Sequence, residues 1–168
     1  MNTKIMSRKK YYDILDELEY WKNEMNETRK KMGESTSLDN DLRENPEYLQ
    51  LTQDLQYKIP NKINQLNLLI SNVRIIDESY LKFRNSKDSV SILDSVTLED
   101  ENGNLYHYIV VGYNETNIDK GWISYESPII SNILNKKVGY IFEFRNNEYE
   151  IININKDKNS YIKFIFNN

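Results

Sequence analysis

Residues 9–37 read KKYYDILDELEYWKNEMNETRKKMGESTS, and their apolar side chains recur at intervals of three and four residues. Thr28 is a polar member of a series whose other members are apolar: Tyr11, Ile14, Leu18, Trp21, Met25 and Met32. This heptad spacing is typical of a helix that packs along another helix. The sequence therefore predicts a long helix from Lys9 to about Ser37.

A second run of similar spacing follows the first after a polar segment, residues 34–46, that has no apolar period. Its members are Leu49, Leu55, Ile59, Ile63, Leu66, Leu69, Ile70 and Val73. Two helices of about 25 to 30 residues, at ~1.5 Å per residue, would form a hairpin roughly 40 Å long. We predict that this hairpin is a probe or a spacer. The alternative is that both helices pack on the rest of the chain as core.

Pro60 lies inside the second run. It removes one intrahelical hydrogen bond and crowds the carbonyl of Gln56. We expect a kink or break near residues 57–59, and we interpret it as a tolerated bend rather than a functional hinge.

The second half of the chain has the composition of strands. Six segments are rich in β-branched and aromatic residues: 95–99, 105–111, 122–125, 140–144, 148–154 and 161–166. Turns are expected at 101–104 and 145–147, and Ser127-Pro128 favours a short helix start. We predict an α+β chain in which residues 1–80 form the hairpin, with its acidic tip at about 38–48, and residues 81–168 form a sheet domain. The charged residues 82–88 are the expected connection.

Composition excludes several classes of protein. The chain of 168 residues has no cysteine, so disulfides, thiolate metal sites and cysteine nucleophiles are impossible. Its one histidine, His107, lies in a strand pattern, and we interpret it as an ordinary sheet residue rather than a catalytic base. A formal charge of -4 argues against a protein that coats nucleic acid. The sequence shows neither a membrane-length apolar run nor a signal peptide, so we expect a cytoplasmic protein.

The segment 39–48, DNDLRENPEY, concentrates carboxylates between the two predicted helices. Asp41 and Glu44 are three residues apart, so on a helical turn they could face the same way and hold one divalent cation, with water or a partner completing its shell. Alternatively, Asp39, Asp41, Glu44 and Glu47 cap the second helix and complement its dipole.

Residues 41–48, Asp-Leu-Arg-Glu-Asn-Pro-Glu-Tyr, resemble the tip motif Asp-Leu-(Lys/Arg/Ser)-Glu-Asn-Ala-Glu-Tyr of the GreA/GreB transcript cleavage factors of bacterial RNA polymerase. Five later segments are similar in order and spacing to the C-terminal domain of that family: 95–100, 108–112, 117–124, 127–129 and 136–139. The resemblance covers roughly residues 8–155. It implies an N-terminal antiparallel coiled coil followed by a C-terminal FKBP-like antiparallel sheet domain, without implying prolyl isomerase activity.

The resemblance also implies a function. In that family the globular domain docks at the rim of the polymerase secondary channel while the hairpin enters it, and the resemblance implies the same for this chain. Asp41 and Glu44 match the two family acids that help hold the second Mg²⁺, so that the polymerase hydrolyses backtracked RNA near its 3′ end. The chain would be an accessory factor and not an enzyme, with Mg²⁺ bound only in the polymerase complex. Its expected partners are bacterial RNA polymerase and the nascent RNA 3′ end, with no membrane, and it would be a monomer.

The other tip residues would shape the tip: Asn40, Leu42, Arg43, Asn45, Pro46, Glu47 and Tyr48. We expect the contacts with polymerase in the C-terminal domain. Ser127-Pro128 is a candidate contact there, and the equal alternative is that this dipeptide only starts a helix.

Some positions depart from the family pattern. Asn40 stands where many members have glycine, Pro46 replaces alanine, and Ser37 and Thr52 stand where arginine is common. Without those arginines we expect a weaker contact with extruded RNA. Asp39 adds a third acid, which keeps open an alternative function, a homologue that occupies the channel and inhibits without cleavage. A third interpretation makes the hairpin a dimerisation or partner-helix surface.

Arg43, Lys30 and Lys31 are candidate substitutes for the missing arginines.

Overall fold

A computed structural model describes residues 3–38, 45–85 and 87–166. The chain divides into two compact units. One contains Tyr11–Val73, and the other contains Thr3–Lys10 together with the residues from Arg74 onward. The predicted domain bounds, 1–80 and 81–168, stay a prediction.

The first helix, α1, spans Arg8–Leu38, close to the prediction. Ile14 and Leu18 are buried, and so is the polar seam residue Thr28. The Thr28 hydroxyl donates to the carbonyl of Glu24 at 2.7 Å, one turn earlier in the helix. The polar residue in the heptad series is therefore satisfied within its own helix, which explains why the seam tolerates it.

The second arm of the hairpin has three parts. Helix α2 spans Pro46–Gln53, a π-helical turn spans Asp54–Lys58, and helix α3 spans Ile59–Ile70. At the junction the Ile59 N–H donates to the carbonyl of Asp54, five residues earlier. The irregularity that Pro60 predicts near residues 57–59 is thus present, but as a wide turn and not as a break. A π turn accommodates a residue without an N–H while the helix continues.

The buried side of the second arm differs from the predicted series at both ends. Leu49 is 48% exposed, whereas the nearby Tyr48, Leu51 and Thr52 are half-buried. Ile59 and Leu66 are buried as predicted. Val73 is not helical, because it begins a strand. An ion pair of 2.8 Å between Glu17 and Lys62 joins the two arms.

Within the described residues, seven strands form two sheets. Strand β1, Lys4–Met6, pairs with β2, Val73–Ile75. The larger sheet has the order β5-β4-β3-β7-β6 and contains Ser95–Asp100 (β3), Leu105–Val111 (β4), Trp122–Ser124 (β5), Ile141–Phe144 (β6) and Asn147–Asn155 (β7). Its neighbours are antiparallel except for the parallel pair β4–β5. Five of the six predicted strands are confirmed, whereas β1 and β2 are too short to show a period.

The two predicted turns are also confirmed. Arg145 and Asn146 have φ values of 54° and 65°, the left-handed pair of a two-residue hairpin between β6 and β7. Gly103, at φ 79°, supplies the left-handed residue between β3 and β4.

The sixth predicted strand is wrong. Residues 161–166 belong to helix α6, Ser160–Phe166. The Asn159 side chain accepts from the Ile162 N–H at 2.9 Å, as an N-cap does, and Tyr161 and Ile162 are buried. The Asn159 cap and the burial of Tyr161 and Ile162 stabilise a helix here, although the β-branched and aromatic composition of the segment favours a strand.

The charged segment 82–88, the expected connection, begins inside a helix. Helix α4 spans Glu78–Asn85, and the Asp77 carboxylate accepts from the Tyr80 N–H at 2.9 Å at its start. The predicted short helix after Ser127 is confirmed as α5, Pro128–Ile133. None of the helices in the described ranges is long and apolar enough to cross a bilayer.

The core of the second unit lies between the larger sheet and these helices. Fully buried members include Leu98 and Val110 from the sheet, Ile130 and Ile133 from α5, and Tyr161 from α6.

Candidate functional site at the hairpin tip

The two predicted metal ligands, Asp41 and Glu44, lie outside the described residues. The same holds for the other members of the 39–44 segment, Asp39, Asn40, Leu42 and Arg43. The structure describes what flanks them: α1 ends at Leu38, and Asn45 follows Glu44 directly.

Asn45 starts the second arm. Its side-chain oxygen accepts from the N–H groups of Glu47 at 3.0 Å and Tyr48 at 3.2 Å, and its own backbone is extended. Pro46 occupies the first turn, where its missing N–H costs no hydrogen bond. Glu47 is also in the first turn, where a carboxylate interacts favourably with the helix dipole. The cap that α2 needs is therefore an asparagine, with Glu47 as the acid that complements the dipole.

Tyr48 and Thr52 continue this ordered start. The Thr52 hydroxyl donates to the carbonyl of Tyr48 at 2.8 Å, and both residues are half-buried. Thr52 stands where arginine is common in the family that the tip motif resembles. In this chain its hydroxyl bonds to the backbone of its own helix.

The described residues contain no other cluster with the chemistry of a metal site. Within residues 3–38, 45–85 and 87–166, no group of three or more acidic or histidine side chains could hold an ion. His107 is exposed on β4, and its Nδ1 lies 3.0 Å from the hydroxyl of Thr97 on the neighbouring strand. This cross-strand contact agrees with the interpretation of an ordinary sheet residue.

Ser127 and Pro128 form the start of α5. Ser127 is the N-cap in extended conformation, but its hydroxyl donates to the Ser124 carbonyl at 2.7 Å and does not cap the helix through its side chain. Pro128 is exposed at the first helical position. The helix-start interpretation is confirmed, and polymerase docking at these residues stays a prediction.

An ionic cluster inside the second unit was not anticipated from the sequence. Arg84 is 1% exposed and Asp94 is fully buried. The Arg84 Nε lies 3.2 Å from one Asp94 oxygen, and the Lys156 ammonium donates to the other at 2.8 Å. Burial raises the pKa of Asp94, while the Lys156 hydrogen bond, the Ser91 N–H and the Arg84 charge act in the opposite direction.

A second unanticipated group surrounds Glu115. Its carboxylate accepts from the Ser7 N–H at 3.0 Å, from the Ser7 hydroxyl and from the Tyr161 hydroxyl at 2.8 Å. The Gly112 N–H donates to the Tyr161 oxygen at 3.2 Å. These residues are far apart in sequence, and no local pattern brings them together.

Comparison with family models covers both halves of the chain. The N-terminal model of transcription elongation factors matches residues 4–75. The GreA/GreB C-terminal model of transcription elongation factors matches residues 85–156.

Individual proteins similar to this chain carry the same family name as the matching models. The transcription elongation factor GreA of Chloroherpeton thalassium is 33% identical over 150 residues, which is 86% of this chain and 91% of that protein. GreA of Clostridium botulinum strain Langeland is 33% identical over 147 residues, 84% of this chain and 88% of that protein. The GreA of Borreliella burgdorferi is 35% identical over 131 residues, 76% of this chain, but the match spans only 14% of that protein's length.

Solved structures that match include GreA factor homolog 1 (Gfh1) of Thermus thermophilus. It is 21% identical with a TM-score of 0.41, and the match covers 91% of this chain and 99% of that one. A GreA/GreB factor from Nitrosomonas europaea matches at 15% identity and a TM-score of 0.38, with coverage of 64% and 88%.

Proposed function

Because this chain belongs to the GreA/GreB family of transcription elongation factors, we propose that it binds bacterial RNA polymerase and stimulates cleavage of backtracked nascent RNA. The hairpin enters the secondary channel, and the polymerase performs the hydrolysis. The observation that carries the proposal is the pair Asp41 and Glu44, kept within the tip motif between α1 and α2.

The donor set of this pair suits Mg²⁺. Carboxylate oxygens are the ligands that Mg²⁺ takes from proteins, and the ion usually keeps several positions for water and substrate phosphate. In a two-metal hydrolysis one ion would activate a water and the other would stabilise the leaving oxygen. Asp41 and Glu44 would supply ligands only, and the remaining ligands would come from the polymerase and the RNA 3′ end.

The described residues support this role at the base of the tip. Asn45 caps α2 and Pro46 fixes its first turn, so the chain has a defined backbone immediately after Glu44. A ligand next to an ordered cap has fewer conformations to lose when it binds an ion. Tyr48, one position after Glu47, is half-buried, and its N–H donates to the Asn45 side chain.

The accessory role follows from what the chain would contribute. Ligands for one shared ion do not make a hydrolase, since a nucleophile, a general base and further ligands must come from the partner. We further propose that the protein acts as a monomer, without a cofactor of its own, in the cytoplasm where the polymerase works.

The test is a transcript-cleavage assay on a stalled, backtracked elongation complex at fixed Mg²⁺. Wild type should shorten the RNA, and Asp41→Asn and Glu44→Gln should lose at least about tenfold in rate, or about 1.4 kcal/mol of transition-state stabilisation. Both variants should still bind the polymerase. Glu47→Gln is the matched control, because Glu47 lies in the first turn of α2 and should keep most of the stimulation.

Two results would contradict the proposal. Loss of polymerase binding in the Asp41 and Glu44 variants would mean that the pair serves docking rather than metal. Slower nucleotide addition without shortened RNA would favour the inhibitor, for which the third tip acid, Asp39, is the motivating feature.

A further inference from the structure

The first turn of α1 carries positive charges, which are unfavourable at the N-terminus of a helix. Its first turn contains Arg8, Lys9 and Lys10 and no acidic residue. The N-terminal end of a helix bears a partial positive charge and exposes N–H groups without intrahelical partners. Three cations there are unfavourable, so the helix needs an acceptor and a negative charge from elsewhere.

The acceptor is Ser7, directly before the helix, and the negative charge comes from a carboxylate far away in sequence. Ser7 is fully buried, and its Oγ accepts from the Lys10 N–H at 3.1 Å, as an N-cap does. Glu115 accepts from the Ser7 N–H at 3.0 Å and from the Ser7 hydroxyl. The Glu115 charge thus lies directly at the N-terminus of α1, where the chain's own first turn supplies none.

The C-terminal helix holds this carboxylate in place. The Tyr161 hydroxyl donates to Glu115 at 2.8 Å and accepts from the Gly112 N–H at 3.2 Å. Burial raises the pKa of Tyr161, so the phenol keeps its proton and stays a donor. Tyr161 belongs to α6, which lies beyond residue 156, the last residue that the C-terminal family model matches.

Gly112 makes the close approach possible. A Cβ at this position would lie 2.9 Å from the Cα of Met6, on strand β1, and still closer to a Glu115 oxygen. A side chain would therefore push β1 or the carboxylate away from the start of α1.

We propose that Glu115 and Tyr161 are positioning residues for the hairpin, which act through Ser7 on the first turn of α1. The inference rests on the proposed function. Helix α1 is continuous from Arg8 to Leu38, so this clasp of Ser7, Glu115 and Tyr161 holds the end of the helix opposite the tip. A ligand that must reach an active centre loses rate steeply with small displacements, about 100-fold for ~1 Å. A frayed helix start should therefore lower the maximal rate of cleavage.

The experiment compares Glu115→Gln and Tyr161→Phe with wild type in the full-length protein. Glu126→Gln is the matched control, since Glu126 is a carboxylate whose ion pair is with Lys4 on β1. The first readout is hydrogen exchange at the amides of residues 10–13. We expect about five- to tenfold faster exchange in Glu115→Gln, the size of a lost cap, and a smaller rise in Tyr161→Phe, where the charge remains.

The second readout is cleavage as a function of factor concentration. Glu115→Gln should lower the rate at saturating factor about three- to tenfold, while the half-saturating concentration stays within about twofold, because a looser tip changes the chemical step more than binding. If Glu115 served polymerase binding alone, the half-saturating concentration would rise while the rate at saturating factor stayed at the wild-type value.

Each result has one meaning. Unchanged exchange in Glu115→Gln overturns the clasp. Faster exchange with full cleavage at saturation overturns the positioning role. If wild type itself fails to cleave, the proposed function and the positioning role both fail, and the exchange data still decide whether the clasp exists.

Discussion

The burial of Arg84 could not be predicted from the sequence. It lies in the segment 82–88, which reads as a charged connection, yet it is buried and contacts Asp94 from helix α4. Its guanidinium also donates to the carbonyl of Leu93 at 2.9 Å and to the carbonyl of Lys156. Leu93 is buried at φ 79°, so the guanidinium binds a backbone turn in the left-handed region. Nothing local in the sequence distinguishes this arginine from an exposed one.

Removing Arg84 should therefore destabilise the protein strongly. We expect Arg84→Met to lower the free energy of unfolding by about 3–5 kcal/mol, because it leaves the Asp94 carboxylate buried without one of its two cations. Urea unfolding at pH 7 measures the loss. The double variant Arg84→Met with Asp94→Leu should recover part of it, and a single variant within about 0.5 kcal/mol of wild type would contradict this role.

Asp100 should make stability depend on pH. Its carboxylate accepts from the Asn104 side chain, from the Asn102 and Asn104 N–H groups and from the Tyr106 hydroxyl. The Asn104 side chain is the largest cause of a lowered pKa at Asp100. A lowered folded pKa means that the stabilisation is present above the unfolded pKa, about 3.8, and is lost as the pH falls through the folded value.

Urea unfolding between pH 6 and pH 3 measures that dependence. Asp100→Asn should flatten the acid limb of the stability curve relative to wild type. Parallel curves for the two proteins would show that the β3–β4 turn does not depend on the charge.

Helices and strands differ in how far the sequence predicts them. The bounds of α1, β4 and the β6–β7 hairpin follow from period and turn residues, since these signals are local. Helix α6 does not, because burial of Tyr161 and Ile162 overrides the strand-like composition of residues 161–166. The acidic segment 39–48 could be found from residue types and spacing, and its interpretation as a tip motif comes from the resemblance to the GreA/GreB family. The clasp at Ser7 could not, since its members come from three distant parts of the chain.

The π turn should limit how much Pro60 destabilises the second arm of the hairpin. We expect Pro60→Ala to change the free energy of unfolding by less than about 1 kcal/mol, because the wide turn already accommodates the missing N–H. A proline introduced at Gln65, inside α3 and exposed, should cost about 3 kcal/mol. Chemical unfolding of the two variants makes the comparison. Equal losses at both positions would contradict the role of the π turn.

The whole chain combines a helical hairpin with a sheet domain, and the family models cover both. Ile14, Leu18, Ile59 and Leu66 of the hairpin are buried within the single chain, and the Glu17–Lys62 ion pair joins its two arms. We therefore expect light scattering to give the mass of one chain at micromolar concentration. A concentration-dependent dimer would favour the interpretation of the hairpin as a dimerisation surface.

The Mg²⁺ dependence of cleavage addresses the proposed role of the tip itself. On a backtracked elongation complex, wild type at saturation should lower the Mg²⁺ concentration for half-maximal RNA cleavage at least about tenfold relative to polymerase alone, or about 1.4 kcal/mol. Asp41→Asn should bind the complex and remove that shift. The same half-saturating Mg²⁺ concentration in all three reactions, or slowed extension without any shortened RNA, would contradict the assignment of Asp41 and Glu44 as ligands of a shared ion.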